Sequence, residues 1–513
     1  MSELIDHLKQ VLQSLDRPLI QENECWNSTE DLQSDIEHVR LILQQAGIRK
    51  GDRVLLGLPN SYRFIAIYFA ILSAGAVAVP INPRMPVSEL QTFLRRCCPA
   101  GGFLTEKQSA GLIEPYTSQK VLTARLILKE SKLNYLKWKH RDRTEQRLLT
   151  ESPEPLENDP AVLLYTSGTT GRPKAVGLSH GQIYAAAQNI IWAHRLTSKD
   201  IVYSFLPLFH INAQVVGLIS PCLSGGKLII APKFSASRFW NVVNGQHVTW
   251  VSAVPAVLSI LLHTGAPDHI SSGLRFVRSA SAPLPLLHAQ QFEKKFGVPV
   301  IESYGMTEAA SQICVNPLPP EKRVLGSVGL PVGLSLQIVD EQDHVLPSRE
   351  TGEIVIRGKN VITHYVEADN QDDFRNGWFH TGDIGYVNEE GYVFIIGRKK
   401  ELINRGGEKI SPYEVEEAIR QLPEVKQVAV IGLQDPLYGE KVVAYAVPGP
   451  GRATEHLAEK ILDHCRQTLS DYKCPAGVEI VDRIPTGPTG KIQRSLLKKQ
   501  IIAGREIIQE KSL

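Results

Sequence analysis

Short apolar runs, each followed by a helix-compatible segment, recur through the first 400 residues and restrict this chain to layered α/β architecture. The clearest are DRVLLGLP near 52–59, KLIIAP at 227–232 and TWVSAVP at 249–255. Such alternation predicts crossover connections and largely parallel sheets. From Gly326 to Gly397 the texture changes to Gly-punctuated runs (LQIVD, GEIVIRG, GYVFIIG), which predict a β-rich segment with tight turns. After Lys400 a smaller α+β pattern follows. SPYEVEEAIRQL predicts a helix capped by Ser411, with Pro412 as its first residue and Glu414 placed for a capping box. KQVAVIGL and KVVAYAVP predict strands. With 513 residues the chain is too long for one core. The change near 397–402 predicts a boundary between a large body and a small lid.

Composition narrows the function classes. Fifty-six basic residues against fifty-four acidic ones leave a net charge of +2, which gives no electrostatic reason for a nucleic-acid partner. The basic run LKWKHRDR at 136–143 predicts a solvated loop, and ESPEPLENDP at 151–160 a surface loop. Seven scattered cysteines form no C-x-x-C pair, which fits a reducing compartment. The His and Cys spacings match no zinc pattern. Phe64 to Ile81 is apolar enough to suggest a membrane span, but Gly75 and Pro80 predict a buried helix, a break after Ala74 and a short strand. The amphipathic, acid-bearing start is unlike a signal peptide, and the end Lys511-Ser512-Leu513 is not a peroxisomal address. The cytoplasm is the expected location.

The strongest local signal is Tyr165-Thr-Ser-Gly-Thr-Thr-Gly-Arg-Pro-Lys174, where a buried strand runs into a loop of glycines, hydroxyls and one lysine. Glycines let successive N–H groups converge on phosphate oxygens, and the hydroxyls and ammonium add donors and charge. Taken alone, this loop reads equally well as a surface turn. It lacks the Walker A pattern, which argues against a P-loop ATPase or kinase. Tyr304-Gly-Met-Thr-Glu308 supplies an aromatic face, a close backbone approach, a hydroxyl and a carboxylate suited to Mg2+. Thr381-Gly-Asp383 predicts a carboxylate in a tight turn. Two further segments concentrate cations and glycines: Gly397 to Gly407 (GRKKELINRGG), and Pro485 to Arg494 (PTGPTGKIQR). Each of these alone reads as a polar turn.

Together, in this order and at these separations, the segments resemble the ANL superfamily of acyl-CoA synthetases, peptide-synthetase adenylation domains and firefly-type luciferases. The resemblance covers nearly the whole chain. It implies an adenylate-forming domain over 1–397, a hinge over 398–402 and a mobile lid over 403–513. It further implies ATP-dependent conversion of a carboxylic acid to acyl-AMP with pyrophosphate release, then transfer to coenzyme A. By this resemblance Thr166, Ser167, Gly168, Thr169, Thr170 and Lys174 clamp the ATP phosphates. Tyr304 stacks on adenine, with Ser279, Ala280, Ser281 and Ala282 beside it. Thr307 touches the α-phosphate and Glu308 holds magnesium. Asp383 and Arg398 hold the ribose, and Lys491 bridges the carboxylate and the α-phosphate. Lys400 is the hinge residue, and Gly406-Gly407 face the pantetheine thiol.

His210 stands where the family places a residue gating the acyl pocket, and Asn212 with Gln214 follows at strand-like spacing. PKFSASRFW (232–240), TWVSAVP, NPLPP (316–320) and ELINRGGEKISP (401–412) resemble the oxalyl-CoA synthetase-like branch, which implies a small or polar acid. That branch commonly carries His where this chain has Ser311. Ser281 offers another polar contact. Rival readings are a ligase loading a carrier-protein thiol, a luciferase-like oxygenase, and a catalytically inert ligand sensor. The last predicts loss of Glu308, Asp383, Arg398 and Lys491, all of which are present.

Overall fold

The computed structural model describes residues 2–14, 17–109, 122–128, 131–137, 154–166, 174–265, 267, 270, 273–367, 372–449, 455–487 and 492–503. Most of the basic run at 136–143, the start of the loop at 151–160 and the chain end at 511–513 lie outside them. Two large sheets form the body. The nine-stranded sheet has at its centre Val300–Met306, Phe276–Ser279, Trp250–Ala253, Ile201–Ser204 and Lys227–Ile230, in that spatial order and all parallel. The seven-stranded sheet pairs Gly101–Leu104, Arg53–Gly57, Val77–Pro80 and Pro160–Thr166 in parallel, then turns antiparallel at Lys174–Ser179. Side chains of these strands are almost wholly buried, as near-continuous apolar runs demand when helices cover both faces.

The apolar stretch at 64–81 lies inside the body. Tyr62–Ser73 is a helix with ten buried residues, Gly75 adopts φ +69° just beyond its cap, and Val77–Pro80 enters the sheet. Among the described residues no helix is long and apolar enough to cross a membrane. All seven cysteines are free thiols.

The Gly-punctuated segment folds into a five-stranded antiparallel sheet from Leu334–Val339 to Val393–Arg398. Residues 403–480 build another five-stranded sheet with its own apolar core around Ile410, Ile419, Val430 and Ala444. The helix Pro412–Arg420 begins as its sequence predicts, with Ser411 Oγ accepting from Glu414 N at 3.4 Å. The reciprocal half of the capping box is replaced. Glu414 instead accepts from Lys473 Nζ at 2.6 Å, and Ser411 Oγ donates to Ile396 O at 2.5 Å, tying this helix to the body.

This helix also brings Glu417 into electrostatic reach of Glu302, a buried carboxyl on the strand Val300–Met306. Burial pushes Glu302 up to about 8, Glu417 adds to the rise, and the Gly326 N–H opposes it. The folded chain therefore holds a proton that the unfolded chain releases in the ordinary carboxylate range. The associated stability is complete below that range and is lost as pH rises through about 8. Glu302→Gln is expected to raise Tm relative to the parent at pH 9, by about 2–4 °C per kcal/mol recovered. At pH 5 the difference should be small. Equal differences at both pH values in scanning calorimetry would contradict the assignment.

Candidate active site

The strand Val300–Met306 ends in a 3-10 turn, Thr307–Ala309, and the sequence-predicted groups gather around that end. Tyr304 points inward, and its hydroxyl donates to Asp383 Oδ2 at 2.5 Å. Asp383 also accepts from Arg398 Nε at 2.8 Å, because the two stand opposite each other in the register of Trp378–Val387 and Val393–Arg398. Burial first, then the Asp383 charge, holds the Tyr304 phenol well above its ordinary range, so it remains a neutral donor.

Two expectations need correction at this point. Asp383 lies within a strand and not in a turn: Thr381 Oγ1 donates to Ile354 O and accepts from Asp383 N, which carries the ladder through the positive φ of Gly382. Gly305 does permit a close backbone approach, but the approach is to the chain itself. A Cβ there would sit 1.6 Å from Ser311 O, across a bulge in the hairpin.

Glu308 is buried, with the Tyr365 hydroxyl donating to Oε1 at 3.2 Å. Lys174 Nζ lies 4.5 Å from the Tyr365 ring centroid and pairs with Asp373. Thr166 and Lys174 face each other in hairpin register and so mark the two ends of the hydroxyl-rich loop. Ser167, Gly168, Thr169, Thr170 and Lys491 lie outside the described residues. Desolvation raises the Glu308 carboxyl above its ordinary value, while Tyr365, Arg398 and Lys174 pull the other way. Glu308 is thus within electrostatic reach of both Lys174 and Arg398.

A carboxylate held from water beside a single hydroxyl fits a divalent cation. Among the described residues no group of three His, Cys, Asp or Glu could hold a metal alone. Mg2+ at Glu308 would therefore need nucleotide phosphate oxygens as further ligands, its usual mode of binding.

The acyl-side residues surround the ends of neighbouring strands. Ser279 closes the strand Phe276–Ser279 with a buried Oγ that has no partner among the described residues, and Ala280 N donates to Ala253 O at 3.2 Å. Ser281, ahead of Ala282, adopts φ +73° and accepts from Asn212 Nδ2 at 3.2 Å. Ser311 is buried and its Oγ lies 3.5 Å from Asn212 Oδ1. His210 precedes a short helix, Ile211–Gln214, and burial lowers its imidazole to about 4. It is neutral at pH 7, with Nε2 buried and without a partner among the described residues. The strand-like spacing of Asn212 and Gln214 is overturned by this helix. Residues two apart on a helix point to opposite sides. Asn212 therefore meets Ser281, while Gln214 is buried against the Tyr68 hydroxyl at 3.1 Å.

Gly406 and Gly407, with φ of +62° and +98°, form the two-residue turn of the hairpin Ile403–Arg405/Glu408–Ile410. Positive φ at both central positions is what such a turn requires. Lys400 sits in the 3-10 turn Lys399–Glu401, between the pairs Lys399–Glu353 (3.0 Å) and Glu401–Arg494 (2.9 Å). Sequence reasoning missed Tyr365, Asp373 and Arg278. Only the last left a signal, a charge two residues after Phe276 within the strand sequence FVRS, where apolar side chains are expected.

A family model described as AMP-binding enzyme matches residues 9–366, and one described as AMP-binding enzyme C-terminal domain matches residues 414–491. The chain is 36% identical to an oxalate–CoA ligase of Arabidopsis thaliana, covering 90% of each chain. It is also 36% identical to a sulfoacetate–CoA ligase of Cupriavidus necator, covering 88% of this chain and 87% of that one. The structure of o-succinylbenzoate coenzyme A synthetase from Bacillus subtilis, in complex with ATP and magnesium ion, superposes with a TM-score of 0.79 at 28% identity. That superposition covers 96% of this chain and 99% of the other. With both of its parts matched and its cation, carboxylate and aromatic groups drawn to one strand end, this chain belongs to the AMP-binding enzyme family.

Proposed function

We propose that this protein is an AMP-forming acid–CoA ligase acting on a small or polar carboxylic acid. In the first step a carboxylate oxygen attacks the α-phosphorus of ATP, the α–β phosphoanhydride bond breaks, and pyrophosphate leaves. In the second, the thiol sulfur of coenzyme A attacks the acyl carbon, the bond to AMP breaks, and the thiol proton passes to solvent. The observation that carries this reading is the convergence of Lys174, Glu308, Asp383 and Arg398, from distant parts of the chain, around the end of one strand.

Two anions must approach each other in the first step, so cancelling their repulsion dominates the chemistry. Lys174 exchanges Asp373 for phosphate oxygens, Glu308 would hold a magnesium ion whose charge would screen them, and Asp383 with Arg398 receives the ribose. Tyr304 presents its ring to adenine while Asp383 fixes its hydroxyl. Thr307 contacts the α-phosphate, and Lys491 closes over the reacting carboxylate. The relatives named for oxalate and sulfoacetate support a small polar acid, and their common acceptor, coenzyme A, is favoured over a carrier-protein thiol. The cytoplasm, with its reduced thiols, suits seven free cysteines.

The lid over 403–513 turns about Lys400 between the two steps, presenting Lys491 for the first and the Gly406-Gly407 turn for the second. Lys400→Pro stiffens this hinge backbone. It is expected to slow thioester formation from acyl-AMP by about tenfold, equivalent to ~1.4 kcal/mol of barrier, with adenylation less affected. Stopped-flow measurement of the separate half-reactions checks this, and unchanged rates for both would contradict it.

The activity itself is tested by pyrophosphate release over a panel of small mono- and dicarboxylates, with and without coenzyme A. Acid-dependent release with acyl-CoA as product is expected. No release with any acid would refute the proposal.

A further inference from the structure

The cation assigned to the nucleotide phosphates is already answered by an anion. Lys174 stands where the hydroxyl-rich loop re-enters the sheet, with its side chain 18% exposed. Its ammonium pairs with Asp373 and lies 4.5 Å from the centroid of the Tyr365 ring. A segment laced across this end of the sheet brings the three together. Ile362 N donates to Glu308 O at 2.9 Å, and Val366 N donates to Ala175 O at 3.0 Å. Between these two bonds the Tyr365 ring packs edge-on against Phe374 and Phe379, with centroids 5.5 and 6.4 Å away. Asp373 adjoins Phe374, and its carbonyl accepts from His380 N at 2.7 Å, which fixes its backbone to the strand Trp378–Val387. Arg375, two residues on, pairs instead with Asp343 at 3.1 Å. Among the described residues Lys174 is the cation that pairs with Asp373.

Two carboxylates thus gather around one ammonium. Burial first, then Glu308 and Asp373, hold the Tyr365 phenol well above its ordinary range, so it stays a neutral donor between them. The two acids differ in their access to water. Glu308 is 8% exposed and has the Tyr365 hydroxyl as donor, whereas the Asp373 side chain is 32% exposed. A phosphate arriving at Lys174 competes with the carboxylate already there. The part-exposed anion turns out to water at small cost, and the buried one does not. Asp373 is therefore the group that yields. It is also the group that returns, because a largely buried ammonium left without an anion is costly. A ligand that must first break an internal pair binds in proportion to the fraction of molecules in which that pair is open.

We infer that Asp373 is an internal competitor for the phosphate-binding lysine: it occupies Lys174 in the empty site, yields it to the terminal phosphates of ATP, and recaptures it as pyrophosphate leaves. This rests on the ligase reading above, with Lys174 serving the phosphates lost as pyrophosphate, and adds a residue that speeds their release. No covalent bond is made or broken in the exchange. Asp373 is a positioning residue, since it acts through Lys174 and not on the substrate.

Calorimetric titration of the whole chain at one fixed magnesium concentration compares ATP, pyrophosphate and AMP. Asp373→Asn should tighten ATP and pyrophosphate by about tenfold each, the size of a charge pair between the exposed and the fully buried cases. AMP, which lacks the terminal phosphates, should bind unchanged. Pyrophosphate should inhibit acyl-AMP formation at correspondingly lower concentration. Asparagine keeps an acceptor, so Asp373→Ala, which removes it, should tighten both ligands at least as far, and it decides the matter if the first variant folds poorly. In a Lys174→Met background Asp373→Asn should have little effect on ATP, because the competition needs the ammonium. Three results would each overturn the inference and leave the ligase reading intact: unchanged or weakened ATP and pyrophosphate binding in both Asp373 variants, equal tightening of AMP, or full tightening without Lys174. A wild-type chain that binds neither ATP nor AMP refutes the ligase reading and the inference with it.

Discussion

Alanine in place of Lys491 is expected to slow acyl-AMP formation by roughly 10²–10³, the usual effect of removing one preorganised transition-state stabiliser. Thioester synthesis from supplied acyl-AMP should be largely spared. The selectivity follows from charge. Only the first step drives a carboxylate onto an anionic phosphate, so only that step needs an ammonium between them. The flanks of this residue are firmly held. Gln493 N donates to Pro485 O at 2.9 Å, and Arg494 pairs with both Glu401 (2.9 Å) and Glu416 (2.6 Å). Glu401 adjoins Lys400, so a rotation there carries the base of the lysine-bearing segment with it. Separate assays of the two half-reactions check the prediction, and equal loss of both would contradict the role.

Asp383→Ala should damage both stability and nucleotide use. One buried carboxylate serves the Tyr304 hydroxyl and the Arg398 guanidinium together. Its removal strands a buried phenol and a largely buried cation, and breaking such a pair from one side costs about 3 kcal/mol. A lower Tm and a KM for ATP raised by about tenfold or more are expected, the latter reflecting ~1.4 kcal/mol of lost binding. Asp383→Asn keeps an acceptor for Tyr304 and should recover part of the Tm but little of the ATP affinity. An unchanged Tm and KM in Asp383→Ala would contradict the role given to this carboxylate.

Much of the fold is legible because it rests on local pattern. The buried runs VLLG, LII and WVSA become strands of the two large sheets, and the helix at 412–420 starts where Ser411-Pro412 predicts. Tertiary context decides the rest. The spacing of Asn212 and Gln214 suits a strand, yet four residues of helix after His210 split them to opposite sides. Thr381-Gly-Asp383 has turn composition, yet the ladder opposite Arg398 extends through it. Gly305 reads as room for a ligand, but the room is taken by Ser311. Tyr365 and Asp373 reach Glu308 and Lys174 only through folding, so no local spacing announces them. Arg278 is visible as a misplaced charge, but that no carboxylate among the described residues pairs with it belongs to the tertiary structure alone.

The central claim is that the acid itself attacks the α-phosphorus of ATP. Turnover with an acid carrying 18O in its carboxyl oxygens, followed by mass spectrometry of the nucleotide product, tests this most directly. AMP bearing one 18O for each acyl-CoA formed is the predicted result. Unlabelled AMP, or label in orthophosphate with ADP as the nucleotide, would contradict it.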